Sequence, residues 1–114
     1  MAVDQKGQVS SAATAADTAD PPPPPPADSW ASKGNHVNVT GCSSSACAHV
    51  NVNTSNFPAG TYSYTCVGDG NGYYSNSMFF PANGTVETPC VWGYPGTQVY
   101  VQIHGVMDTR PTTW

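Results

Sequence analysis

The sequence predicts an all-β domain, a Greek-key β-sandwich of about seven short strands that contains two disulfides. Its apolar residues are twelve Val together with Phe, Tyr and Trp, there is no Leu, and Ile103 is the single Ile. Residues of these types favour pleated, half-buried strands over helices. Eleven Gly and eleven Pro supply turns at nearly regular spacing between alternating stretches. A closed barrel is the alternative that this pattern leaves open.

Residues 1–28 are predicted to be a tail that precedes the domain. They are rich in Ala, Thr, Ser, Asp and Gln and include the six prolines Pro21–Pro26, which favour a stiff polyproline II rod. We expect a spacer, with a peptide ligand for an aromatic groove as the alternative. The domain then occupies residues 29–114, which is near the lower end of what buries a sufficient core without help.

A repeated segment predicts a hairpin early in the domain. Residues 36–39 and 49–52 both read His-Val-Asn-Val, and alternation of Val with polar residues is the period of a half-buried strand. Folding the chain back around a bridge between Cys42 and Cys47 places Val39 opposite Val50 and all four Val on one face.

Alternating stretches after this hairpin predict the remaining strands, each bounded by turn residues. They are 61–67, 73–80, 85–92, 98–104 and a short last strand that ends at Trp114. In the first of them, alternation places Tyr62, Tyr64 and Cys66 on the core face. The turn Asp69-Gly70-Asn71-Gly72 is of the tight hairpin type.

Four cysteines in a short chain allow three disulfide connectivities. We favour the sequential pairs Cys42–Cys47 and Cys66–Cys90, because the first closes the hairpin loop and the second links residues 24 apart. The spacing does not fit a zinc site. Disulfides persist in oxidising compartments, so we expect an extracellular or cell-surface location. Since the sequence shows no signal peptide and no transmembrane stretch, we interpret it as a fragment of an exported protein.

Charge is sparse in this chain, with three Lys or Arg against seven Asp or Glu. There is no basic stripe, so nucleic-acid binding is not expected. A surface of Ser, Thr, Asn, Gly and Tyr is typical of secreted proteins. We expect a monomer without membrane insertion in this fragment.

The sequence predicts no catalytic residue, no metal site and no cofactor. It lacks the Gly-x-Ser-x-Gly elbow of many hydrolases, and Asp69, Glu87 and Asp108 are the whole supply of carboxylates after residue 28 for glycoside hydrolysis. The three histidines are interpreted as solvated strand residues. We therefore expect that the protein is not an enzyme.

Five aromatic residues are the best candidates for a ligand site: Tyr73, Tyr74, Trp92, Tyr94 and Tyr100. They cannot all be interior, because neighbouring residues of a strand point to opposite faces. Exposed Tyr and Trp beside Asn and Gln form a platform on which sugar rings stack or partner proteins dock. The alternative is that these rings cover a core without Leu.

Three segments resemble a module of exported actinobacterial proteins: Gly41–Cys47, Gly60–Cys66 and Cys90–Gly96. Such modules are Ig-like or fibronectin-III-like and are appended to surface enzymes or to the outer part of receptor serine/threonine kinases. The resemblance covers residues 30–114 and implies an Ig-like accessory domain with no catalytic residue. A looser similarity to the enediyne apoproteins of the neocarzinostatin family rests on the small loop between Cys42 and Cys47 and implies a small-molecule carrier.

These observations predict a non-enzymatic extracellular module for adhesion, sensing or targeting, displayed on a proline-rich spacer. Its partner is expected to be an extracellular protein or a cell-wall glycan. The first alternative is a carbohydrate-binding module that uses the Tyr and Trp platform. The second alternative is a small-molecule carrier of the enediyne-apoprotein type.

Overall fold

The computed structural model describes residues 21–114 of the chain. Residues 21–27 are exposed and lie outside the strands, and the first strand begins at Asp28. Residues 1–20 of the predicted tail lie outside the described residues, so that part of the prediction stays untested.

Within residues 21–114, eight strands form two sheets, and the prediction of an all-β domain is confirmed. The strands are β1 (Asp28–His36), β2 (Ala48–Ser55), β3 (Gly60–Gly68), β4 (Asn71–Phe80), β5 (Gly84–Trp92), β6 (Gln98–Ile103), β7 (Met107–Asp108) and β8 (Thr112–Thr113). The first sheet has the order β1-β2-β5 and the second the order β4-β3-β6-β7, with β8 also paired to β6. All strand pairs are antiparallel.

The two sheets share one apolar core, as in a β-sandwich. Val50 and Val52 of β2 pack in the same cluster as Tyr64 of β3 and Val101 of β6. Burial alternates along β2, residue by residue, as expected for a strand with one face in the core. β-branched and aromatic side chains therefore fill the space that Leu occupies in most cores.

Both predicted disulfide pairs are confirmed. Cys66 of β3 is bonded to Cys90 of β5, and this bond joins the two sheets across the core. Cys42 is bonded to Cys47 and closes the small loop between β1 and β2. All four cysteines of the sequence are thus paired.

The predicted hairpin exists, but its predicted register is wrong. Lys33 pairs with Val50, so the first strand lies upstream of the repeat. Val39 lies instead in the loop, where it is 45 % exposed and exchanges backbone hydrogen bonds with Cys42. β1 therefore ends at His36, three residues before Val39, where the alternation placed the end of the strand. A bulge between Lys33 and His36 shifts the pairing of β1 with β2.

Tyr64 lies on the core face, as predicted, and its buried phenol carries a testable pH dependence. Burial raises the pKa of Tyr64 from 10.0 to about 12. Between these two values the folded protein holds a proton that the unfolded chain has released, so the free energy of unfolding falls as the pH rises. The shift of two pKa units corresponds to a loss of about 3 kcal/mol when the titration is complete, and roughly half of this loss is reached by pH 11.

The variant Tyr64→Phe isolates this effect. The Tyr64 hydroxyl has no hydrogen-bond partner among the described residues, so its removal is expected to be neutral or slightly stabilising near pH 7. Urea unfolding at about pH 8 and about pH 11 should show a smaller loss of stability for the variant than for the wild type. Equal losses in both proteins would contradict the assignment to Tyr64.

Candidate functional site

Three of the five predicted aromatic residues meet at one end of the sandwich. The ring centroids of Tyr73 and Trp92 are 4.9 Å apart, and those of Trp92 and Tyr94 are 5.1 Å apart. Tyr73 belongs to β4, Trp92 ends β5 and Tyr94 lies in the turn before β6. We call Tyr73, Trp92 and Tyr94 the aromatic cluster.

A β-bulge near the start of β4 places Tyr73 in the cluster. Cys66 of β3 pairs with Tyr74, whereas the next residue, Val67, pairs with Gly72. Tyr73 is therefore the extra residue of the bulged strand. Bulges re-aim side chains that regular alternation would send to the other face.

The bulge explains why two neighbouring tyrosines both pack against other rings between the sheets. Tyr73 contacts Trp92, which comes from the opposite sheet. Tyr74 lies 6.4 Å, centroid to centroid, from the buried Tyr64. Regular alternation thus fails at this position, but Tyr73 is still 37 % exposed, so the prediction that the five rings are not all interior is confirmed.

Close packing and a hydrogen bond fix the indole of Trp92. Its ring lies on the backbone of Gly68, where an added Cβ would be 2.4 Å from the ring carbons. Its Nε1–H donates to Thr97 Oγ1 at 2.8 Å, and this hydroxyl donates to the Tyr94 carbonyl at 2.6 Å. Trp92 is therefore held in one orientation before any ligand arrives.

Tyr94 is the most exposed member of the cluster, at 65 % of its surface. It lies in the turn that joins β5 to β6, and the Thr97 amide donates to its carbonyl. Gly96 takes a left-handed φ of +84° in this turn and donates its amide to the Trp114 carbonyl. The backbone of Tyr94 is thus well fixed while its ring faces solvent.

Two open grooves flank the aromatic cluster and share its three side chains. The first groove has a volume of about 420 Å³, and the disulfide loop forms its other wall through Gly41, Cys42, Ser43, Ser44 and Cys47. The second groove has a volume of about 330 Å³, and its other wall is formed by Gly68, Asp69, Asn71 and Thr97. Each groove thus combines aromatic rings with short polar side chains.

The disulfide loop is anchored where it borders the first groove. Cys42 and Cys47 pack on the backbone of Gly93, where an added Cβ would be 2.5 and 2.6 Å from the two sulfurs. The Trp114 Nε1–H also donates to the Ala46 carbonyl at 2.7 Å. This wall is therefore held from both sides.

The electrostatics of the grooves suit an uncharged ligand. Asp69 is the one carboxylate among the described lining residues, which include no Lys, Arg or His. Burial against its neighbours raises the pKa of Tyr73 to about 12. The phenol of Tyr73 is therefore neutral at physiological pH and remains a hydrogen-bond donor.

The structure does not bring Tyr74 or Tyr100 into the cluster. Tyr74 packs against the core, and its hydroxyl accepts a hydrogen bond from Asn76 at 3.0 Å. Tyr100 pairs with Val67 in the second sheet and lines neither groove. The candidate site therefore contains three of the five predicted aromatic residues, Tyr73, Trp92 and Tyr94.

Sequence reasoning missed the polar residues of the grooves. The five that matter for ligand contact are Ser43, Ser44, Asp69, Asn71 and Thr97. All of them lie in or beside turns that the sequence marks. Their position at the same end of the sandwich as Trp92 depends on strand order, which no local pattern reveals.

The histidines form no metal centre in the described part of the chain. His49 Nδ1 donates to the Thr88 carbonyl at 3.0 Å, and its Nε2 is 3.6 Å from a Glu87 carboxylate oxygen. Residues 21–114 contain no group of three or more metal-ligating side chains.

Comparisons with protein-family models, curated proteins and solved structures gave no match for this chain. In the described segment, no helix is long and apolar enough to cross a bilayer. The two disulfides are compatible with an extracellular location. Function is therefore inferred from the geometry of the site.

Proposed function

We propose that this chain is a non-catalytic extracellular module that binds a neutral carbohydrate through the aromatic cluster. One observation carries the proposal: three packed rings, one of them 65 % exposed, stand between two open grooves with short polar walls. This observation favours the carbohydrate-binding alternative over a general adhesion or sensing role.

Sugars need this combination of surfaces. The C–H face of a pyranose is apolar and packs on an aromatic ring, while its hydroxyl groups need donors and acceptors at the rim. Ser43 and Ser44 supply hydroxyls on one side, and Asn71 supplies an amide on the other. Because no cationic side chain is among the described lining residues, the grooves offer nothing that would neutralise a phosphate or a uronic acid.

The site lies at the end of the domain away from the proline segment. Asp28, the first residue of β1, pairs with Ser55 at one end of β2. Trp92 pairs with Ala48 at the other end of β2. A strand of this length separates the two ends by roughly 25 Å. A spacer attached at Asp28 would thus present the aromatic cluster outward, which supports display on a proline-rich stalk.

An ion pair holds the point where the proline segment joins the domain. The Arg110 guanidinium donates to both Asp28 carboxylate oxygens, at 2.8 and 3.1 Å. These hydrogen bonds lower the pKa of Asp28. The same guanidinium lies 5.3 Å from the centroid of the Trp30 ring. The start of β1 is therefore tied to the last part of the chain, as suits a tethered domain.

Strand order and disulfides support an exported, Ig-like accessory module. Constant-type Ig domains have four strands in one sheet and three in the other, in the orders A-B-E-D and C-F-G. Here β1-β2-β5 match A-B-E, and β4 lies beside β3 in the other sheet. The disulfide between the sheets joins β3 to β5, whereas antibody domains join the second and sixth strands. The proposal is thus an Ig-like topology with its own cross-link.

A small-molecule carrier is less well supported. Such a carrier holds its ligand in a cleft that buries most of the ligand surface. Both grooves at the aromatic cluster are instead open to solvent. Shallow grooves beside an exposed ring are better suited to an extended glycan.

The variant Tyr94→Ala tests the proposal. Removing this exposed turn side chain is expected to weaken glycan binding about tenfold, because one stacking ring is lost. The free energy of unfolding should fall by less than about 1.5 kcal/mol, because the exposed ring of Tyr94 packs only on Trp92. The measurement is a 15N-HSQC titration of the oxidised protein with soluble neutral glycans and cell-wall fragments, which gives both the affinity and the residues that shift.

Phe79→Ala is the matched control for this experiment. Phe79 is 55 % exposed on β4 and lines neither groove, so its loss should leave glycan affinity unchanged. Shifts that cluster at Tyr73, Trp92 and Tyr94 would support the proposal. An absence of shifts with every glycan at millimolar concentration, or shifts centred on other surfaces, would overturn it.

A further inference from the structure

Resting on the proposed function, we infer that the site takes an oligosaccharide of at least two sugar rings, with one ring in each groove. The two grooves meet at the aromatic cluster, because Tyr73, Trp92 and Tyr94 line both. A ligand that follows the surface from one groove to the other must therefore cross these rings.

The exposed rings of the aromatic cluster provide two stacking surfaces, Tyr94 at 65 % and Tyr73 at 37 % exposure. Trp92 packs against both and against Gly68, so its own ring supports them. The Tyr73 plane makes an angle of 37° with that of Trp92 and the Tyr94 plane an angle of 75°, so the planes of the two tyrosines are not parallel. One sugar ring has a flat face that packs on one aromatic plane at a time, whereas two linked rings can use one tyrosine each.

The groove volumes agree with one ring in each groove. Ligand pockets in proteins span about 300–1,000 Å³. The first groove, at about 420 Å³, and the second, at about 330 Å³, each lie near the lower end of that range. Each groove is large enough for one sugar ring, and the two grooves together are large enough for linked sugar rings.

The polar walls differ, so the two subsites are not equivalent. The first groove offers the neutral hydroxyls of Ser43 and Ser44. The second groove offers the Asp69 carboxylate and the Asn71 amide, while the Thr97 hydroxyl in its wall is already bonded to Trp92 and Tyr94. Hydrogen bonds from sugar hydroxyls to a carboxylate are stronger than those to a neutral acceptor. The second groove is therefore the stronger subsite, and a monosaccharide should occupy it first.

The backbone of Asp69 allows a conservative test of the second groove. Asp69 has a left-handed φ of +50°, which Asn also tolerates. Its amide donates to the Gln98 carbonyl at 2.9 Å, and this bond does not involve the side chain. The variant Asp69→Asn thus removes the charge and keeps the turn. In the first groove, Ser43→Ala removes one exposed hydroxyl.

The experiment measures affinity against chain length by NMR titration and calorimetry. The probes are N-acetylglucosamine with its β-1,4-linked dimer and trimer, and glucose with cellobiose and cellotriose. For the series that binds, affinity should rise about tenfold or more from monomer to dimer. The monomer should shift residues of the second groove, and the dimer should shift residues of both grooves.

The two variants assign the subsites. Asp69→Asn should weaken the monomer and the dimer alike, by about threefold to tenfold. Ser43→Ala should weaken the dimer about threefold and leave the monomer unchanged. Phe79→Ala again serves as the control and should change neither affinity.

The outcomes separate this inference from the proposed function. If a glycan binds at the aromatic cluster but monomer and dimer bind equally, or if Ser43→Ala weakens the monomer as much as the dimer, the two-ring inference is overturned and the proposed function stands. If no glycan of either series and no cell-wall fragment shifts the cluster, both are overturned. A dimer that binds more tightly and shifts both grooves supports both.

Discussion

Replacing both Cys66 and Cys90 by Ala is expected to lower the free energy of unfolding by about 3 kcal/mol. The two sulfurs are buried in the core, and the bond links residues 24 apart on opposite sheets. Its loss frees the unfolded chain from a long closed loop, which accounts for the expected magnitude. For a domain of this size the melting temperature should fall by about 15 °C, as measured by circular dichroism.

The pair Cys42→Ala and Cys47→Ala is the matched control. This disulfide links residues that are only 5 apart in sequence. Since a shorter closed loop restricts the unfolded chain less, its removal should lower the free energy of unfolding by only about 2 kcal/mol. It should also weaken ligand contacts in the first groove, since the loop forms one wall. A larger loss of stability from this pair than from the pair between the sheets would show that the small loop is the main cross-link.

Much of the fold could be predicted because its determinants are local. The alternating stretches of β3, β5 and β6 identify these strands to within one residue at each end. Sequential pairing of four cysteines also gave both disulfides. Alternation reports the period of a strand, and the short spacing of Cys42 and Cys47 favours a local bond, which leaves Cys66 to pair with Cys90.

The register of β1 could not be predicted for a physical reason. Its inward residues include Ser29 and Ala31, which are buried but give no apolar pattern. The Val-rich repeat beginning at His36 gives the stronger pattern, yet Val39 lies in the loop. Small residues fill the space beside β2. Because the core-facing residues of β1 are this small, its sequence does not show which register places an apolar face in the core.

The candidate site was only partly predictable. Trp92 and Tyr94 are two residues apart around a turn, so their proximity follows from the sequence. Tyr73 joins them because of a bulge that breaks alternation, and nothing in the pattern of residues 73–80 marks that bulge. Ser43 and Asp69 reach the grooves through the order of the strands. Contacts that depend on strand order therefore could not be predicted from local sequence patterns.

Gly68→Ala is expected to disrupt the site and to destabilise the domain together. A Cβ at this position would lie 2.4 Å from the ring carbons of Trp92. The indole cannot move aside without losing its hydrogen bond to Thr97 and its packing on Tyr73. Overpacking of this kind costs about 1–3 kcal/mol, and glycan affinity should fall at least about tenfold because the central ring leaves its position.

The measurement that decides this prediction is the indole N–H resonance of Trp92, followed together with the melting temperature and the glycan affinity. Gly60→Ala is the control at the other end of the same strand, where an added Cβ would be 3.4 Å from the Tyr62 ring, an ordinary contact. It should change stability by less than about 1 kcal/mol and leave binding unchanged. If Gly68→Ala keeps the Trp92 resonance and the wild-type affinity, then close packing on Gly68 does not position the indole. The preorganisation of the aromatic cluster must then come from the hydrogen bond to Thr97 and the packing on Tyr73 and Tyr94.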